Sequence, residues 1–309
     1  MAQDAASPML PRPLKVSQEK QLEIPPFGAW GDTQCDSDSS LYDHLLTGSY
    51  RDTQILRTSS SGTETTLYKL PEEFAKTTAF MDFSVSPNGN VTVLVENHEG
   101  HSLTFDFDSE GKVSSNAQLE IPEQVAGEHI AVFSNGTRLF AGHYRRDAPS
   151  DLKGKRYVGL FQASGKLLKR LNEVDKETRT EEQAGHLPDG ATTIGADGNI
   201  YLLTSDKVLI ISASGTIQKK IAFTKPNPDF SAGRVQFSEG LLAISFAKIG
   251  KPETIFQYLV VNASTGEPFG LYVPTVETGN NNVCFTRHDG FVFRTVKNNR
   301  MDIITAPLR

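Results

Sequence analysis

The chain has 309 residues, 22% of them charged and 38% hydrophobic, with a formal net charge of -6. Lysine and arginine are scattered, which leaves no basic footprint for nucleic acid or an anionic membrane surface. No apolar run reaches the roughly 18 residues of a membrane span. The only cysteines are Cys35 and Cys284, too few for a disulfide-dense scaffold or a four-cysteine zinc site.

The first residues, "MAQDAASPMLPRP", have neither the basic start nor the apolar centre of a signal peptide. They fit the remainder of an exported chain after cleavage, the preferred reading, or a native disordered start. Residues 1–12 are expected to be a disordered segment, with one domain over 13–309. A periplasmic or secreted location is the expectation. Next comes "PLKVSQEKQLEIPP", Pro13 to Pro26, with apolar positions at Leu14, Val16, Leu22 and Ile24.

From there the chain repeats itself. Alternating apolar runs turn near Ser40, then at Gly89, Gly136, Gly198, Gly240 and Gly290, in phrases such as "SPNGNVTVLV" and "GADGNIYLLT". Asn-Gly and Asp-Gly between such runs are hairpin signals, because a tight hairpin needs positive φ. A second turn follows each of the first five, at Gly62, Gly111, Gly165, Gly215 and Gly266, as in "QASGKLLKRL" and "SASGTIQKKI". Each unit reads as strand A, tight turn, strand B, loop, strand C, second turn, strand D. A four-stranded unit of about 45–50 residues is a propeller blade. Six first turns stand against five second turns, so the sixth unit lacks its fourth strand. The predicted fold is all-β: a six-bladed β-propeller of four-stranded antiparallel blades. The N-terminal run, over 14–24, completes the last blade beside a strand near Asp302 to Thr305, which removes the open edges. A pair of two-sheet β-sandwiches is the alternative.

The repeated "SPNGNVTVLV", "GADGNIYLLT" and "SASGTIQKKI" phrases resemble six-bladed propellers of the NHL/TolB-like superfamily, of the bacterial exported type. The third strands lack the W-D dipeptide of WD repeats. Such a resemblance implies a fold and no particular activity.

Blade geometry sorts the connections. A–B and C–D turns share one face, where they are short and Gly-based. B–C and D–A loops share the other, and they include the long segments 143–157, 172–190 and 247–256. Binding residues concentrate on loops carried by a rigid scaffold, which points to the long-loop face. Counting back from the first turns puts Asp32, Asp82, His129, Thr192, Arg234 and Asn282 at the channel mouth on that side. This near-neutral ring suits a zwitterionic or sugar-like ligand, unless it only satisfies strand ends. Trp30, the sole Trp, packs near the first blade or serves as a ligand platform.

Catalytic signals are sparse. "HEGH", His98 to His101, is not the H-E-x-x-H of zinc proteases. No G-x-S-x-G, phosphate-cradling loop or dinucleotide fingerprint occurs. No cofactor is implied, and one Trp excludes the Trp-rich quinone-cofactor propellers. The expected function is non-enzymatic binding of a peptide, glycan or partner protein by a monomer. The alternative is a gluconolactonase-like metal-dependent hydrolase using Asp32, Asp82 and Asn282, although "FGAWGDTQC" lacks that family's glutamate.

Both cysteines fall on innermost strands, of blades 1 and 6. Neighbouring blades pack as sheets about 10 Å apart, whereas a bridge needs Cα atoms within roughly 7 Å. Two buried reduced thiols are therefore expected.

Overall fold

A computed structural model describes residues 9–23, 29–46, 53–60, 62–178, 187–188, 190–248, 250, 254–275, 283–297 and 300–308. Six antiparallel sheets follow one another along the chain and close into a ring. Blade 1 comprises Ala29–Cys35, Leu41–Leu46, Thr53–Thr58 and Thr65–Lys69. Blade 2 comprises Thr78–Val85, Val91–Asn97, Ser102–Phe107 and Val113–Gln118. Blade 3 comprises Val125–Val132, Arg138–Tyr144, Arg156–Phe161 and Leu167–Arg170. Blade 4 comprises Thr192–Ile194, Ile200–Leu203, Lys207–Ile211 and Ile217–Ala222. Blade 5 comprises Ser231–Ser238, Leu241–Lys248, Ile255–Asn262 and Pro268–Pro274. Blade 6 comprises Val283–Thr286, Gly290–Lys297 and Arg300–Ala306, with Gln18–Glu23 as its outer strand. The first strand of each blade is innermost.

Sandwiching each sheet between two others explains the sequence pattern. The second and third strands are apolar on both sides and buried on both, as in "VTVLV" and "IYLL". Outer strands alternate, as in "IQKKIA", where only Ile221 is fully buried. The predicted turns sit where the glycines placed them, and all ten turn glycines have positive φ. In blade 1 a serine takes that conformation, at Ser39 with φ 61. Gly165 is needed twice over. A Cβ there would run into the Gln118 carbonyl, so the turn of blade 3 can lie directly on the outer strand of blade 2. Glu120 N–H then donates to the Gly165 carbonyl at 2.9 Å.

The ring closes as the turn count required. Gln18–Glu23 pairs antiparallel with Arg300–Ala306, setting Gln18 against Thr305 and Leu22 against Met301. The expected strand is cut short at its start. Arg12–Leu14 instead runs parallel to Pro268–Pro274 and adds a fifth strand to blade 5. Leu14 is buried there, against Phe256, Tyr258 and Tyr272. The chain start therefore straps blade 5 to blade 6.

The thiol expectation is wrong. Cys35 and Cys284 form a disulfide with a Cα–Cα distance of 5.8 Å, within bridging range. The 10 Å spacing belongs to sheets stacked face to face. Blades fan out from an axis like wedges, so their innermost strands approach far more closely than their outer ones. A β-bulge between Trp30 and Thr33 also shifts the register of the strand that carries Cys35.

Two outcomes test this closure. Thiol labelling of the denatured, unreduced protein should find no free groups; two would remove the bridge. The bridge spans 249 residues of chain, worth about 5 kcal/mol in the chain-entropy treatment, so a Cys35→Ser/Cys284→Ser variant should be less stable by several kcal/mol. Deleting residues 1–23 should lower Tm by several degrees, because it removes the outer strand of blade 6 and buried Leu14. An unchanged Tm would contradict closure by the N-terminal strand.

Candidate functional site

The innermost strands pose a polar problem. Each pairs with its own blade along one edge and turns the other toward the channel, leaving backbone groups that need partners. Side chains supply them, and they link each blade to the next. From blade 1 to blade 2, Gln34 donates to the Phe83 carbonyl and accepts from Val85 N–H at 2.9 Å. From blade 2 to blade 3, Asp82 accepts from Ile130 N–H at 3.0 Å and Ser84 from Val132 N–H at 3.2 Å. Thr192 of blade 4 donates back to the Ile130 carbonyl at 3.3 Å. Val235 N–H of blade 5 donates to the carbonyl of Gly190, just before blade 4, at 3.2 Å. Gln236 of blade 5 donates to the Val283 carbonyl of blade 6 at 2.7 Å. The Cys35–Cys284 bridge makes the sixth joint.

The residues expected at the mouth belong to this ring. Asp32, Asp82, His129, Thr192 and Arg234 all lie on innermost strands; Asn282 lies outside the described residues. Arg234 donates to Asp32 at 2.7 Å, linking blade 5 to blade 1 past blade 6. His129 Nδ1 lies 3.4 Å from Asp82 Oδ2, both side chains buried. Burial disfavours the His129 cation, but Asp82 and Glu128 outweigh it and raise the pKa. Glu128 contacts His143 Nδ1 at 2.7 Å and also pairs with Arg156. Burial pushes the Glu128 carboxyl up, while His143 and Arg156 hold it down to about 2. Trp30 is on the first strand of blade 1, paired with Leu45.

Both described carboxylates of the expected donor set are already engaged. A guanidinium occupies Asp32, while His129 and a backbone N–H occupy Asp82. Among the described residues no three His, Cys, Asp or Glu side chains group as ligands. His98 and His101 lie at a tight turn, where His101 contacts Glu99 at 3.3 Å.

Sequence reasoning missed a buried ion pair at the closure. Arg294 of blade 6 meets Asp43 of blade 1 with both side chains fully buried. Thr33 donates to Asp43 at 2.6 Å. The signal was a lone charge inside an apolar strand, in "LYDHLL" and "FVFRTV", which only a partner in the neighbouring blade makes tolerable. His44, next to Asp43, stacks on Phe80 of blade 2 with centroids 3.6 Å apart.

Below this polar layer, on the axis, is a cavity of about 220 Å³. Its wall runs from Gly190, Thr192 and Arg234 to Ser37, Pro87, Ala196 and Glu239 in the A–B turns. It therefore faces the short-turn side, opposite to the one the loop lengths suggested.

No family model matches the chain, and no curated protein does. Solved structures do. A chain of the mitotic checkpoint complex is 12% identical, covering 100% of this chain and 98% of that one, with a TM-score of 0.55. A luciferin-regenerating enzyme is 10% identical, over 94% and 98%, with a TM-score of 0.52. A Bacteroides caccae protein of unknown function is 13% identical, over 81% and 83%, with a TM-score of 0.48. The first two likenesses show the fold. The chain is a six-bladed β-propeller whose similar structures include an enzyme and a subunit of an assembly.

His44 gives this layer a pH response. Burial lowers its pKa to about 4, against the pull of Asp32. The folded state thus favours neutral imidazole, so stability is complete above the unfolded value near 6.5 and falls as pH drops from 6.5 to 4. The loss is about 3 kcal/mol. Denaturant titrations should show it in the parent and a flatter profile in His44→Phe. Identical profiles would exclude His44 as the source.

Proposed function

We propose that this propeller is a non-enzymatic binding protein that recognises a peptide, glycan or partner protein on its long-loop face. The observation that carries the reading is the B–C loop of blade 3, an insertion held in one shape. Arg145 N–H donates to the Gln124 carbonyl at 2.6 Å, and Gly154 N–H returns to the Tyr144 carbonyl at 2.9 Å. Leu152 N–H donates to the Pro149 carbonyl at 2.8 Å inside the loop. The Arg145 side chain reaches blade 2, pairing with Glu96 and donating to the Gly100 carbonyl at 3.2 Å. Arg146, Asp147, Ser150, Asp151, Lys153 and Lys155 remain exposed on this frame. A loop ordered before binding loses little entropy when it engages a partner. Beside it, the helical turn Asn172–Glu177 is fixed by Arg170 to Asp175 at 3.1 Å and by Lys220 to Glu177 at 2.6 Å.

The mouth adds the Asp32 carboxylate, 35% exposed although paired with Arg234. The other charges there are engaged in holding the ring, which favours binding by the loops over chemistry in the channel. The protein works as a monomer outside the reducing cytosol; the Cys35–Cys284 bridge supports that location. The likeness of its turn phrases supports reading it as an NHL/TolB-like propeller.

The test replaces Arg146–Lys153 with Gly-Ser-Gly and compares both proteins on synthetic peptide and glycan arrays. The parent should bind at least one class, and the variant should lose that binding about tenfold or more with an unchanged Tm. Absence of binding by the parent, or equal binding by both, would overturn the reading.

A further inference from the structure

The axial cavity has a polarity that the long-loop reading does not use. At its inner end stands Arg234, only 3% exposed. One guanidinium Nη donates to Asp32, while the buried Nε has no partner. Asp32 is not part of the wall, so the Arg234–Asp32 pair separates the cavity from the long-loop mouth. Among the described residues Arg234 is the only basic one lining the cavity. Two carboxylates mark the other end. Asp36 accepts from Ser40 N–H, Asp38 N–H and the Tyr42 hydroxyl, three of about four lone-pair directions. Glu239 is exposed at the rim.

The register sets the distance between these ends. Gln236 Nε2 lies 3.9 Å from Cys35 Sγ, which puts Cys35 level with Gln236 and Asp36 one residue further along the axis. Three strand residues separate that level from Arg234, about 10 Å. Val235, Phe237, Ile194 and Phe285 line the stretch between. The volume lies below the roughly 300–1,000 Å³ of drug-sized ligand sites, which limits the occupant to a small molecule.

We propose that this cavity binds a short zwitterion of dipeptide or ω-amino acid length, entering from the short-turn face. Its carboxylate accepts from Arg234 at the inner end, giving the guanidinium a second acceptor beside Asp32. Its ammonium stays outward, between Asp36 and Glu239, and the apolar walls hold the chain joining the two charges. A simple anion meets carboxylates at the rim. A simple cation meets the arginine at the floor. Only a molecule carrying both charges, in that order, satisfies both ends.

The site is separate from the loops, and its test uses three matched probes. Isothermal titration calorimetry of the intact protein with 6-aminohexanoate should show one site. Hexanoate and hexylamine should each bind about tenfold or more weakly, for want of one charge-assisted contact. Glu239→Gln, an exposed change, should weaken 6-aminohexanoate severalfold while hexanoate, relieved of one rim carboxylate, binds no more weakly than before. Thr193→Phe, which fills the cavity wall, should abolish binding of all three. The Gly-Ser-Gly loop variant should bind 6-aminohexanoate as the parent does, so that failure of one site does not imply failure of the other. No heat from 6-aminohexanoate at 10 mM, equal binding of hexanoate, or unaltered binding by either point variant would overturn the proposal.

Discussion

A ring of sheets is only as rigid as the seam where its first and last blades meet. Everywhere else one complete blade leads into the next; here only the outer strand of blade 6, from the chain start, continues into blade 1, and its other three strands come from the far end of the chain. This protein ties that junction at three radii. Near the axis Cys35 is bonded to Cys284. Halfway out, Arg294 and Asp43 form a fully buried ion pair. At the rim the strand Gln18–Glu23 from the chain start completes blade 6. The three ties act differently. The covalent bond restricts the unfolded chain. The ion pair penalises any arrangement that leaves one charge buried alone. The strand satisfies an edge that would otherwise recruit another chain.

The same need for satisfied backbone accounts for the polar residues of the channel. Asp82, Thr192 and Gln236 each look like ligand groups when read one at a time. In the ring each answers an N–H or a carbonyl of the neighbouring innermost strand. What remains is small and oriented: Arg234 at one end of the cavity, carboxylates at its rim, and the ordered loop on the opposite face. Function in this scaffold is carried by what the ring does not consume.

The architecture was legible because its signals are local. Gly89, Gly136 and Gly198 mark turns through backbone conformation alone, and their recurrence counts the blades. The missing sixth second turn pointed to the chain start, and register pairing of Gln21 with Asp302 agrees. Other features depend on radius, which no spacing along the chain encodes. The distance between two innermost strands cannot be read from the spacing of stacked sheets, and the disulfide was missed for that reason. Leu14 reads as part of the closing strand by its alternation with Val16, yet it crosses to blade 5. Arg234 lies on an innermost strand, as counting back from the turn implied. Its pairing with Asp32, two blades away around the ring, depends on the bulge after Trp30 and on the channel's width.

Native-state hydrogen exchange, read by mass spectrometry with and without a reductant, tests the seam most directly. In the oxidised protein the innermost strands Ala29–Cys35 and Val283–Thr286 should be protected as strongly as Thr78–Val85 and Val125–Val132. After reduction, protection should fall first at that seam and in Gln18–Glu23, while blades 2 to 4 keep theirs. Rapid exchange at the seam in the oxidised protein, or uniform loss around the ring on reduction, would contradict this account.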